Sequence, residues 1–244
     1  MLAPGPGNRC RVRVQNDTAT QPPRIDGLPD VPHGLRTADG GEPARFEAVD
    51  RLAELLGRTA GHRVLELGTG AGRVGPRLAG RGFEVVNVVD SADLVAALGA
   101  RRRHRPVQVW PAGLAEVGAP GPFDLALAVD AALCTLVTQD DQVSCVRNVA
   151  ARLAPAGLFV VETPLPSARE LAAQDPVGQV VTENHLAFSP AGIRPYSVVH
   201  RHVWPAELDL MARLAGLTLR LRWGGWSFES VTPRSESVVS VYGR

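Results

Sequence analysis

Between an apolar run and a helix-forming stretch the chain reads Leu65-Glu-Leu-Gly-Thr-Gly-Ala-Gly-Arg73. Glycines at 68, 70 and 72 let the backbone turn sharply and approach a ligand closely, because no Cβ intervenes. Asp90 stands 20 residues after Gly70, at the end of a second apolar run, where a carboxylate can take the hydroxyls of a ribose. Together these residues describe a pocket for a nucleotide-like cofactor. A second chemical group lies far downstream. Along Val198–Trp204 a strand would point His200, His202 and Trp204 one way, and Val199, Arg201 and Val203 the other. Two imidazoles on one face suit proton transfer with a bound substrate. The same pattern also fits an edge strand with solvated histidines.

These residues need a scaffold, and the pattern supplies one. A helix is expected over about 43–59, with Phe46, Val49, Leu52 and Leu56 on one face. Arg63–Leu67 reads as a buried strand running into the glycine turn, with a helix from Arg73 to about Gly80. Phe83–Val89 is a second strand, and Ser91 is placed to cap a helix through Leu98. Strands follow at Val107–Trp110 and Phe123–Val129. Thr138-Gln-Asp-Asp141 starts a helix that Leu153-Ala-Pro-Ala-Gly157 stops, before a fifth strand at Leu158–Val161. This alternation predicts a mostly parallel sheet with helices on both faces. Then the period changes. Residues 177–204 read as a hairpin turning near Ser189–Gly192. Pro205 opens a helix that Gly216 closes, and Leu217–Trp223 and Val238–Tyr242 form an antiparallel pair at the sheet edge.

The chain has 244 residues, 45% of them hydrophobic, enough for one domain with a sizeable core. Net charge is +1, which gives no field toward nucleic acid or a membrane. All basic residues are arginine, which matches a GC-rich coding style. Cys10, Cys134 and Cys145 make an odd set without C-x-x-C spacing, so a reducing, cytoplasmic setting without disulfides is expected. No signal-like or membrane-length apolar run is present. Residues 1–42, rich in Pro, Gly, Asp and Arg, read as a flexible tail before a domain over 43–244, with a small β insert at about 174–204.

Two cofactors compete for the turn. Gly70-Ala-Gly72-Arg-Val-Gly75 matches the dinucleotide pattern G-x-G-x-x-G, and Glu66–Gly72 matches the E-x-G-x-G-x-G turn of S-adenosylmethionine (SAM) enzymes. Glu66 favours the second. A carboxylate ~6 Å from a pyrophosphate would oppose each charge by ~3 kcal/mol at an effective dielectric of ~20. SAM brings an ammonium and a sulfonium, both positive. The predicted strand order agrees, since an antiparallel pair after five βα units is not the six-strand dinucleotide arrangement.

The sequence resembles the class I SAM-dependent methyltransferases. The resemblance is carried by VLELGTGAGRVGPRLAGRGFEVVNVVDSADLV, by PFDLALAVDAALCTLVTQDDQ with NVAARLAPAGLFVVE, and by WPAELDLMARLAGL, RWGGW and SVVSVYGR at the C-terminus. The last block is similar to an actinobacterial-type subgroup. The resemblance implies a Rossmann-like, mostly parallel seven-stranded sheet with an antiparallel strand at its edge. It implies that Glu66, Gly68, Thr69, Gly70 and Gly72 wrap the methionine part of SAM. Asp90 would hold the ribose, Ser91 and the segment Ala112-Gly113-Leu114 the adenine, and Asp130 would face the sulfonium. S-adenosylhomocysteine would be the product. The chain departs from its relatives at Gly113, where an acid usually accepts from the adenine amine, and at Pro155-Ala-Gly157. A tyrosine motif usual before the first helix is absent from residues 30–45.

Methyl transfer is an in-line displacement, so the protein must chiefly align a nucleophile and exclude water. His202 and His200 are the candidate bases, and Tyr196, Trp204 and Glu162 the candidate pocket residues. A metal site joining His185 is not expected, because no Asp, Glu or Cys sits at ligand spacing. Arg101–Arg105 reads as a solvated loop rather than a phosphate site, and Trp223-Gly-Gly-Trp226 as a core anchor and turn. The reading is a cytoplasmic methyltransferase acting on a small molecule in secondary metabolism, without nucleic-acid or membrane partners. The alternative keeps the fold without methylation, as a cyclase-like rearrangement catalyst or a non-catalytic binding partner. Neither the acceptor atom nor the oligomeric state is legible.

Overall fold

The computed structural model describes residues 46–47, 49–50, 62–68, 74–90, 107–189 and 192–244. The N-terminal tail, most of the expected first helix, Thr69, Gly70, Gly72, Ser91 with its helix, the Arg101–Arg105 run and the tip of the hairpin lie outside the described residues.

Nine strands are described. β1 (Arg63–Leu67), β2 (Glu84–Val89), β3 (Val107–Pro111), β4 (Phe123–Ala128) and β5 (Leu153–Pro164) are mutually parallel. β8 (Thr218–Trp223) and β9 (Ser237–Gly243) complete a seven-stranded sheet of order β3-β2-β1-β4-β5-β9-β8. β9 runs antiparallel to both neighbours, so it lies between β5 and the outermost strand β8. β6 (Val180–Ser189) and β7 (Gly192–Arg201) form a separate antiparallel hairpin, as the insert predicts.

Alternation along the strands sorts the core into two layers. Leu65, Leu67, Val86, Val88, Ala126, Ala128, Phe159 and Val161 face one side. There they meet α2 (Gln139–Arg152), through Val146 and Val149, and α4 (Pro205–Leu214), through Leu208 and Met211. Val64, Val85, Leu125, Leu127, Val160 and Val241 face the other side, against Val49, Trp226 and α1 (Val74–Ala79). The caps act as their sequences imply. Thr138 accepts from the Asp141 N–H at 3.1 Å, and Gly216 follows α4 with φ +75°.

The fifth strand begins earlier than the sequence suggests. Leu153 already pairs with Phe123, and the register jumps to Leu125 against Leu158. The Pro155-Ala-Gly157 segment, which ends the helix, is thus a bulge inside β5 rather than a turn before it. Gly157 is required there, since a Cβ would lie 2.8 Å from the Phe123 carbonyl oxygen.

Candidate functional site

In this order β1 pairs with β2 on one side and β4 on the other, so successive crossovers depart in opposite directions at the β1/β4 boundary. A crevice opens at the carboxyl ends of strands at such a switch point. Gly68 leaves β1 there, Asp90 leaves β2, Asp130 leaves β4 and Glu162 lies near the end of β5. The sheet therefore brings four candidate residues to one edge.

Gly68 has φ +80° and donates to the Val88 carbonyl at 3.0 Å. A Cβ on it would stand 2.8 Å from the Ala132 Cβ, so the backbone passes close beneath the loop after β4. That loop is itself strained. Asp130 and Ala131, neither of them glycine, hold φ of 53° and 56°. Glu162 fixes the conformation, accepting from the Asp130 N–H at 2.9 Å while only 6% exposed. Glu162, a candidate pocket residue in the sequence, is thus buried and shapes the edge from beneath.

Glu66 is fully buried. Its Oε2 accepts from Asn87 Nδ2 at 2.6 Å, and the carboxyl also takes a hydrogen bond from the backbone of Gly75 at the start of α1. Burial pushes its carboxyl up to about 7, against those hydrogen bonds and with some help from the charge of Asp130. Its other oxygen is shielded from solvent with no hydrogen-bond partner among the described groups. A half-ionised buried carboxylate with an unused oxygen favours a cation. Exposed Asp90, the cramped Gly68 and Glu66 together fit a cofactor carrying a ribose and positive charge. Leu114 is buried, while Gly113 is partly exposed with its carbonyl taken by the N–H groups of Glu116 and Val117. A Cβ on Gly113 would lie 3.8 Å from the Glu116 carboxyl carbon.

The imidazole pair departs from the expectation of an alternating strand. β7 ends at Arg201, and His200, Arg201, His202 and Val203 are all buried. The reading of solvated edge histidines is therefore overturned. The rings of His200 and His202 meet edge to face, 4.9 Å apart at 86°, whereas Trp204 is 39% exposed and caps α4. Arg201 anchors the segment. It donates to Glu207 Oε1 at 2.7 Å and to Gln142 Oε1 at 2.5 Å, and Gln142 Nε2 in turn donates to Leu136 O. Gln142 also reaches Leu133 O, in the 3₁₀ turn Ala132–Thr135 just beyond Asp130. The histidines are thus tied to the edge that carries Gly68 and Asp130.

A residue the sequence reading missed completes the group. α3 (Ala168–Ala173) starts shortly after β5 ends, and its Glu170 comes together with His200 and His202, one ligand atom of each lying within 4.8 Å of the others. Burial lowers the pKa of His200 to about 4, with further lowering from His202, against the charge of Glu170. Burial lowers His202 also. Glu170 stays below the usual carboxylate range. Burial opposes this, but hydrogen bonds from Ser167 and the charges of the two histidines outweigh it. The signal in the sequence was Ser167-Ala-Arg-Glu170, a capping box that points to a helix but not to its neighbours. Tyr196 is not in this group. It stacks on His185 at 5.2 Å in the hairpin, where His185 pairs with Glu183.

Comparison with known proteins identifies the family. A family model described as a methyltransferase domain matches residues 42–221. The cypemycin N-terminal methyltransferase of a Streptomyces species is 26% identical over 233 residues, covering 82% of this chain and 95% of that protein. The CcbJ methyltransferase of Streptomyces caelestis superposes with a TM-score of 0.74 at 29% identity, covering 86% of this chain and 99% of its own. The SAM-bound amino pentose methyltransferase CalS10 of Micromonospora echinaspora, involved in calicheamicin biosynthesis, shares the fold at a TM-score of 0.60 and 19% identity, covering 84% of this chain and 93% of its own. The chain belongs to the methyltransferase-domain family and is a class I SAM-dependent methyltransferase.

Proposed function

We propose that this methyltransferase acts on a small-molecule acceptor in natural-product biosynthesis. The observation that carries the reading is the common edge. Gly68, Asp90 and Asp130 stand at strand ends beside the β1/β4 switch point, and the buried His200–His202 pair is tied to the same edge through Gln142. Glu66, Gly68, Thr69, Gly70 and Gly72 would hold the methionine part of SAM, Asp90 its ribose, and Ser91, Gly113 and Leu114 its adenine, with Asp130 toward the sulfonium. Bound there, SAM supplies a methyl group already activated by its sulfonium. The protein's share is alignment and dehydration of the acceptor. His202 or His200 receives the acceptor proton, with Tyr196 and Trp204 toward the outer side of the pocket.

The missing acid at Gly113 has a local replacement. The Glu116 carboxylate lies next to the space a side chain at 113 would fill, and there it can accept from an adenine amine. The relatives support the substrate class. One is named for the N-terminus of cypemycin and another for an amino pentose, so amines are the first acceptors to screen.

The test is calorimetry of SAM and S-adenosylhomocysteine with wild type and Asp90→Ala, followed by an acceptor screen read by S-adenosylhomocysteine formation. Binding lost in the variant, together with product formation, is the expected result. Turnover of a substrate without S-adenosylhomocysteine would replace methylation with a rearrangement chemistry.

A further inference from the structure

We propose that Glu170, His200 and His202 form a binding site for a divalent transition-metal ion, zinc in the first instance, on the acceptor side of the SAM pocket. Only the role assigned to the ion rests on the proposed function. The site itself rests on three observations.

The first is the donor set. Two imidazoles and one carboxylate, each offering an atom within 4.8 Å of the others, match the ligands of zinc sites in hydrolases and of non-haem iron sites. A metal at about 2.1 Å from each ligand holds them roughly 3.4 Å apart in tetrahedral geometry, so modest side-chain rotation closes the cluster. Cys134 does not compete, since its thiol lies against the backbone of Val203 and burial pushes it up to about 12.

The second is unmet bonding. Nδ1 and Nε2 of both histidines are shielded from solvent and have no hydrogen-bond partner among the described residues. A buried polar atom without a partner keeps its desolvation cost uncompensated, so several grouped around one carboxylate call for a shared ligand.

The third is support. Glu170 is held by the Ser167 capping box, its Oε2 accepting from the Ser167 N–H at 2.6 Å, which leaves Oε1 for a cation. The His202 backbone N–H donates to the Gln179 carbonyl at 3.0 Å, and Arg201 between the histidines is locked to Glu207 and Gln142. The backbone that carries both imidazoles is therefore held from outside the cluster.

Three protein ligands leave a coordination position open, which distinguishes a reactive site from a purely structural one. An acceptor hydroxyl placed there becomes more acidic. Its proton leaves to solvent and its lone pair forms the new bond to the methyl carbon. The carbon–sulfur bond breaks with its electron pair on sulfur, giving S-adenosylhomocysteine. The ion would then take over the activation assigned above to an imidazole.

The test uses full-length protein stripped with a chelator and then titrated with Co²⁺ and Zn²⁺ alone. One ion per chain is expected, with visible cobalt bands of low-coordinate geometry. Affinity should fall about tenfold or more in Glu170→Gln and His202→Asn. X-ray absorption on zinc-loaded wild type should show two imidazoles, and this readout holds even if a variant fails to fold. No binding, binding unchanged in both variants, or a spectrum without imidazole would overturn the site. SAM calorimetry on the same stripped protein separates the outcomes, since loss of the metal site leaves cofactor binding intact, and absent cofactor binding would count against the methyl-transfer reading alone.

Discussion

Asn87 Nδ2 donates to Glu66 Oε2 at 2.6 Å inside the sheet, joining β2 to β1 by a fully buried carboxylate. That carboxyl titrates near 7 because burial disfavours its charge. The folded state therefore keeps a proton that the unfolded chain releases near 4.5. Stability must fall as pH rises between these values and then level off. One proton corresponds to about 1.4 kcal/mol per pH unit, or about 3 kcal/mol across the window. Glu66→Gln keeps an oxygen for the Gly75 N–H and cannot ionise. Denaturant unfolding across this window should give a flatter profile for the variant, and an unchanged slope would show that another group carries the linkage.

Cofactor binding should disturb the same equilibrium. A sulfonium and an ammonium brought near Glu66 favour its ionised form, so SAM binding near neutral pH should expel a fraction of a proton. Calorimetry in buffers of different ionisation enthalpy reads this directly. Release in the wild type and none in Glu66→Gln is the expected pair of results. Equal release in both would place the charge contact elsewhere.

Gly68 and Gly82 both hold positive φ, at +80° and +95°, but only Gly68 is crowded, by the Ala132 Cβ at 2.8 Å. Gly82→Ala should carry only the backbone cost of about 1 kcal/mol. Gly68→Ala adds a clash between two methyl groups that cannot rotate away, and should cost about 2–4 kcal/mol in all. Thermal denaturation ranks the two. Only Gly68→Ala should weaken SAM binding, and equal behaviour would remove Gly68 from the cofactor cradle.

Glu116 is exposed and close to the empty side of Gly113. If it accepts from the adenine amine, Glu116→Ala loses one hydrogen bond of about 1–2 kcal/mol, a roughly five- to thirtyfold weaker SAM affinity. Stability should not change, as befits an exposed side chain. Unaltered affinity would leave the adenine amine to solvent.

Much of this was legible because it is local. Runs such as Val85–Val89 and Leu125–Val129, set between turns and helices, carry the parallel sheet in their composition, and Thr138 and Gly216 mark helix ends within a few residues. Asp90 and Asp130 come to one edge because both follow carboxyl ends of parallel strands, which the alternating pattern makes legible. What escaped was non-local. Glu170 lies thirty residues before His200, and nothing at ligand spacing announces a meeting that depends on where α3 departs from β5 and how the hairpin returns. Arg201, buried between His200 and His202, is likewise held by Gln142 and Glu207 from two different helices. The bulge at Pro155–Gly157 escaped because turn residues inside a strand read as its boundary.

Arg201 supplies the last test. The residue is 3% exposed, its guanidinium between Glu207 and Gln142, and Glu207 also accepts from Gln139 at 2.6 Å and Gln179 at 3.2 Å. Burial would raise the Glu207 carboxyl, but the hydrogen bonds from Arg201 and Gln139 and the charge of Arg201 hold it below the usual range. Removing one partner of a buried pair leaves a charge uncompensated. Glu207→Gln should therefore cost about 3 kcal/mol in denaturant unfolding. Replacing both, as Arg201→Met with Glu207→Leu, removes the desolvation cost together with the attraction, and should recover most of that stability. Catalysis should not recover with it. Arg201 sets the path of the chain between His200 and His202, so kcat/KM should remain depressed in a double variant that is as stable as wild type. Full activity in that variant would mean that the hairpin holds the histidines in place without the buried cation.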